Sequence, residues 1–274
     1  MKDFSKYKFI VRRSPDDPRD WKASAIYKKI ALPDVVDYRD RMFPVRDQGS
    51  QGSCVAMAGA AMKEWQERID VMLDEYMSPQ FIYNNREDIT EEGMYVRDLM
   101  NILRKKGVCV ESFYPYGAFK EITKEVYDNA LNFIIENYAS IDTITELKTA
   151  LYINGPCIIA VPVYNLTERM WKKKMGDYLL GYHLLCVAGY NEDGFIIRNS
   201  WGDDWGQKGY CIFPYEDWGC QMETWTTVDA NSYKPEPPVP EPEKENWFKK
   251  YWWILILSAV AIGMIIFLVL TLKK

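Results

Sequence analysis

From Trp252 to Leu272 the chain carries no charged residue, and Lys249, Lys250, Lys273 and Lys274 bound this run on its two sides. About 20 apolar residues at ~1.5 Å rise cover a hydrocarbon core of roughly 30 Å, so the pattern predicts a single membrane-spanning helix. Trp247, Tyr251, Trp252 and Trp253 supply interfacial aromatics for such a span. Before it, Asn231 to Glu243 alternates Pro with Glu and cannot pack a core. Extended at ~3.1 Å per residue, the stretch to Asn246 forms a stalk of up to about 50 Å. Earlier in the chain the apolar spacing changes. Cys54 to Gln66 is rich in helix formers despite Gly59, with Ser53 or its neighbour available as the cap and Gly49 and Gly52 sharpening the approach. Gly181 to Tyr190 is of β type, Asn191-Glu192-Asp193-Gly194 is a turn signal, and Phe195 to Asn199 reads as a second strand, predicting a hairpin.

The opening Met1 to Lys8 has no apolar core of the kind a secretory signal needs. The expected order is therefore an N-terminal segment (1–31), a globular domain (32–230), a Pro/Glu-rich linker (231–248) and an anchor (249–274). Lysines balance across the anchor, so a tail-anchored topology with the domain on the cytosolic side follows by default rather than from charge bias. Apolar residues make up 48% and charged residues 27% of 274, which suits a globular domain of one core or two lobes. The net charge of −5, without a long basic run, argues against nucleic acid as a partner. Six cysteines contain no CxxC pair, and there is a single histidine, so no zinc set, other metal site or cofactor is expected. Cys211 and Cys220 are close enough in sequence to be disulfide partners.

That single histidine, His183, opens the predicted hairpin, and Asn199 closes it. The two side chains come near each other across such a ladder. Asn199 can then accept the imidazole Nδ1 proton and leave Nε2 facing a thiol. Cys54, in the first turn of its helix, sits where free N–H groups and the helix dipole favour a thiolate. Taken alone, Cys54 reads as a small packed residue and His183 as a satisfied core histidine; together with Asn199 they read as nucleophile, base and orienting group.

These residues resemble the papain family of cysteine peptidases, particularly bacterial-type members. Pro44-Val45-Arg46-Asp47-Gln48-Gly49-Ser50-Gln51-Gly52-Ser53-Cys54, Gly181-Tyr182-His183 and Asn199-Ser200-Trp201-Gly202 match in order, over about Leu32 to Thr227. The resemblance implies an α+β, two-lobed papain-like fold with a peptide cleft, a helical lobe carrying Cys54 and a β-rich lobe carrying His183 and Asn199. It implies a thiolate–imidazolium pair, a thioester intermediate, and an oxyanion held by the Gln48 side-chain amide and the Cys54 backbone N–H. Trp201 would shield the His–Asn bond, and Gly93 and Gly52 would join it in the substrate-binding walls. The expected partners are a polypeptide substrate and, through the C-terminal helix, a lipid bilayer. Gln51 stands where the family has a half-cystine, Val55 replaces the aromatic residue after the nucleophile, and Gly93-Met94 is a thin version of the substrate-binding wall. The segment before Leu32 is shorter than the family's inhibitory prosegments. A catalytically inactive peptide-binding module and an acyl-transfer enzyme (transpeptidase or deamidase) are the alternative readings.

Overall fold

A computed structural model describes residues 4–228; the predicted stalk and anchor lie outside the described residues. Among the described residues no helix is long and apolar enough to cross a membrane. The elements follow as β1 (Val11–Arg12), β2 (Trp21–Lys22), α1 (Ala23–Ile26), β3 (Val36–Asp37), α2 (Cys54–Asp70), α3 (Pro79–Asn84), β4 (Met94–Tyr95), α4 (Val96–Lys105), α5 (Lys124–Ala130), β5 (Asn137–Ser140), α6 (Ile144–Asn154), β6 (Cys157–Val163), β7 (Gly181–Tyr190), β8 (Gly194–Arg198), β9 (Tyr210–Pro214) and β10 (Glu223–Val228). Helices dominate the first half and strands the second, which makes an α+β architecture of two parts.

Helix α2 is the spine of the helical part. Its residues from Cys54 to Glu67 are all buried, so it is surrounded rather than laid on a surface. Gly59 is the reason another helix can cross it closely: a Cβ there would collide with Leu99 of α4. The β part is one sheet in the order β2-β5-β10-β6-β7-β8-β9, with β3 pairing β7 off that path. Strand β6 is buried throughout, and its alternation distributes side chains between two cores. Ile158 and Ala160, with Leu184 and Cys186 of β7, join the core built on α2 and α4. Cys157, Ile159, Val161, Leu185 and Val187 join a second core with Trp171, Trp201 and Phe213. Neighbouring residues of one strand therefore serve different lobes.

The segment before residue 32 is woven into the domain. Strand β2 pairs with β5 in the main sheet, and β1 pairs in parallel with β4 in a two-stranded sheet. All six cysteines are free thiols, so Cys211 and Cys220 do not form the disulfide their spacing allowed.

Candidate active site

The loop before α2 is fixed to the β part by backbone bonds. The Gln48 N–H donates to the Ser200 carbonyl (2.8 Å), Gly202 N–H donates to the Arg46 carbonyl (3.0 Å), and Asp47 bridges Trp201. Arg46 also reaches the buried Glu64 of α2 (2.5 Å) and pairs with Glu111, so the loop is tied to the helical side as well. The Gln48 side chain is buried; its Oε1 accepts from Ser200 Oγ (2.7 Å) and its Nε2 donates to the Gln51 carbonyl (3.0 Å). An amide NH₂ has two hydrogens, so one remains for a ligand.

Cys54 begins α2, as its helix-forming neighbours lead one to expect. Ser53 occupies the cap position but its side chain makes no capping bond. The Tyr116 hydroxyl donates to the Gln48 carbonyl (2.7 Å), which leaves Ser53 Oγ to donate to the Tyr116 oxygen (2.6 Å). A neighbouring side chain has thus outcompeted the helix end for Ser53, and in doing so joins the cap to the Gln48 loop.

The predicted hairpin is β7–β8, but its register is not the symmetric one. A bulge between Val187 and Gly189 shifts the pairing, and the paired register ends at Cys186 with Arg198. Continued, that register sets Trp201, not Asn199, across from His183. Asn199 still reaches the imidazole: His183 Nε2 and Asn199 Oδ1 are 2.8 Å apart, a diagonal contact. The ring nitrogen is the reverse of the expected one. Because Nε2 is the atom facing Asn199, Nδ1 is left without a hydrogen-bond partner. The backbone N–H groups of Leu184, the residue next to His183, and of Val55 and Cys54 itself favour the charged form of the Cys54 thiol. Trp201 lies over the imidazole with ring centroids 4.9 Å apart, and its neighbour Trp205 packs edge-on against it at 5.4 Å.

Cys54 and His183 are both 0% exposed. What covers them was not legible in the sequence. The N-terminal segment crosses the site as a strap: Tyr7 stacks on Trp201 (4.9 Å, 10°), Phe9 stands edge-on to His183 (6.0 Å), and Phe4 lies 6.2 Å from Trp201. The Tyr7 hydroxyl donates to Asp47 (2.8 Å), and the Phe9 carbonyl accepts from Tyr182 N–H (3.1 Å). Ile10 forms a parallel bridge with Tyr182 on the sheet side. On the helical side Ile10 lies against Gly52 and Gly93, which sit close together; a Cβ on Gly93, whose φ is +78°, would collide with the Ile10 carbonyl. The strap therefore lies against Gly52, Gly93 and Trp201 together.

Burial sets the protonation of the pair. The Cys54 thiol is pushed up to about 11 by desolvation, against the backbone N–H groups that favour the thiolate. The His183 imidazole is pushed down to about 4, also by desolvation, with the Asn199 bond opposing. In this covered form desolvation thus favours the neutral thiol and the neutral imidazole. Among the described residues no cluster of His, Cys, Asp and Glu could hold a metal ion.

A helix-start thiol is thus borne by the helical part and an imidazole–amide pair by the β part, on an α+β fold of the thiol-peptidase class. The sequence profile described as papain family cysteine protease matches residues 32–229, and the chain belongs to that family. It is 30% identical over 198 residues to an uncharacterized peptidase C1-like protein of Acanthamoeba polyphaga mimivirus, covering 62% of this chain and 64% of that one. It is 29% identical over 195 residues to cysteine proteinase 3 of Entamoeba histolytica, covering 66% and 63%. The match thus spans under two thirds of those relatives' lengths. Among solved structures, xylellain, a cysteine protease from Xylella fastidiosa, superposes with a TM-score of 0.72 at 29% identity, covering 84% of this chain and 98% of that one. Procathepsin L 3 of Tenebrio molitor larval midgut, at 20% identity and a TM-score of 0.62, shares the fold, covering 81% and 76%.

Proposed function

We infer that the chain is a cysteine peptidase acting through Cys54, His183 and Asn199. The observation that carries the reading is the His183 Nε2–Asn199 contact of 2.8 Å, together with a helix-start thiol whose charged form the N–H of Leu184, next to His183, favours. With the strap out of the groove and water admitted, the desolvation that keeps the pair neutral is relieved. Cys54 then gives its proton to His183 and the sulfur attacks a peptide carbonyl. The spare Gln48 amide hydrogen and the Cys54 backbone N–H receive the developing oxyanion. His183 passes its proton to the leaving amine as the C–N bond breaks, then takes one from the water that releases the thioester. Asn199 keeps the ring oriented, and Trp201 keeps water from that bond.

The test uses the full chain under reducing conditions, with mass spectrometry of a mixed peptide library before and after loosening the strap by Phe9→Ser. Cleavage that disappears with Cys54→Ala and with His183→Ala supports the reading. A closed, neutral pair also fits a cleft that only holds its own segment. Absence of both cleavage and Cys54 labelling in the loosened protein would favour that second reading. Product analysis with an added amine distinguishes hydrolysis from acyl transfer. We further infer that residues 252–272 tether the domain to a bilayer on its cytosolic side; resistance of the chain to alkaline extraction, lost on truncation after residue 230, tests the tether.

A further inference from the structure

The strap is a peptide of known sequence lying in the groove, and its side chains report what each part of the groove accepts. Val11 is buried in the core that also holds Met94, Ala160 and Leu184, an aliphatic position. On either side of it the strap is cationic and the wall is acidic. Lys8 Nζ lies 2.5 and 2.8 Å from the two Glu92 oxygens. Arg12 lies 3.3 Å from Asp88 and 3.6 Å from Glu91, and it also donates to the Glu92 carbonyl (3.1 Å). This wall is close to the nucleophile in the chain: Glu92 Cβ is 3.7 Å from where a Cβ on Gly52 would stand, two residues before Cys54. Once the strap leaves, Glu91 and Glu92 lose their cationic partners on it, and like charges so close together favour whatever cation enters next.

We propose that Glu92, with Glu91 beside it, is a specificity determinant that directs the cleft to peptides carrying Lys or Arg beside an aliphatic residue, the strap's own pattern. The inference rests on the peptidase reading and names its substrate class. It concerns where charges sit along the wall, so it does not depend on the direction in which a substrate runs. Each pair is part-exposed, so each contributes modestly, and the preference comes from several acting together.

The test compares two synthetic peptide electrophiles with one apolar core, one flanked by Lys and the other by Gln, by the rate of Cys54 adduct formation. The proteins are the full chain with Phe9→Ser to loosen the strap, and the same chain with Glu91→Gln and Glu92→Gln; these last two side chains are exposed and their replacement leaves the fold intact. The expected result is labelling about five- to tenfold faster by the Lys probe, with the ratio falling below about two in the neutralised protein and in ~1 M salt. A ratio near one in the parent, or a ratio that survives Glu91→Gln and Glu92→Gln, overturns the proposal while leaving the peptidase intact. Failure of both probes to label Cys54 overturns the peptidase reading and this proposal with it.

Discussion

The two walls of the groove hold the same strap by opposite means. The sheet wall offers aromatic faces, Trp201 to Tyr7 and His183 to Phe9, in a dry setting. The helix wall offers Glu91 and Glu92 to Lys8 and Arg12, with Glu91 70% and Glu92 51% exposed. Burying a large apolar side chain contributes about 1.5–3 kcal/mol, whereas an exposed ion pair contributes about 0.2–1 kcal/mol. The lesson is a division of labour: the sheet wall supplies the grip, and the helix wall supplies discrimination between partners.

Substitutions of the reacting groups form the strongest challenge, since each wall contributes one. Cys54→Ala and His183→Ala should each lower kcat/KM by about 10⁴-fold or more, and the double variant by no more than the worse single one. Additive losses in a double-mutant kinetic cycle would mean that the walls do not act together. Gln48→Ala should cost about 3 kcal/mol, roughly 10²-fold in kcat, with little change in KM. An effect confined to KM would place Gln48 in substrate binding instead.

Acid probes the dryness of the sheet wall. The His183 pKa in the folded protein, about 4, lies below the ordinary 6.5, so the unfolded chain takes up a proton that the closed fold refuses. The contribution is fully present above pH 6.5 and is lost as pH falls from 6.5 towards 4, up to about 3 kcal/mol. Thermal melts across that window should show a steeper acid decline for the wild type than for His183→Gln; parallel curves would contradict a desolvated imidazole.

The smallest effects separate the two grips. Phe9→Ser should speed Cys54 labelling by a small thiol reagent about tenfold or more, whereas Lys8→Ala should change it by less than about threefold. Equal effects would erase the contrast between the walls.

The positions of Cys54 at a helix start and of the His183–Asn199 pair could be read from the sequence because each sits in a local pattern: Cys54 before a run of helix formers, His183 and Asn199 flanking a turn signal. The diagonal placing of Asn199 could not, since it follows from the bulge at Val187 and Gly189, and a sequence written without its register hides that shift. Ser53 was misread for a similar reason; its partner Tyr116 is 63 positions away. For the segment before Leu32 the sequence left open whether it blocks the cleft, and the contacts of its strap were hidden. Tyr7 and Phe9 meet Trp201 and His183 across more than 170 residues, and no short-range periodicity records such a contact.

The alternation along β7 gives the nucleotide-level notion of a reading frame a protein counterpart. Leu184 faces the helical core while Leu185 faces the other, and the imidazole of His183 shares the parity of Leu185. One residue inserted between His183 and Leu184 would keep every amino acid of the site and yet transpose the strand's inside and outside from there on. Chemistry and packing here are therefore written in the same phase, and mutation can tune either one only by substitution, not by insertion or deletion.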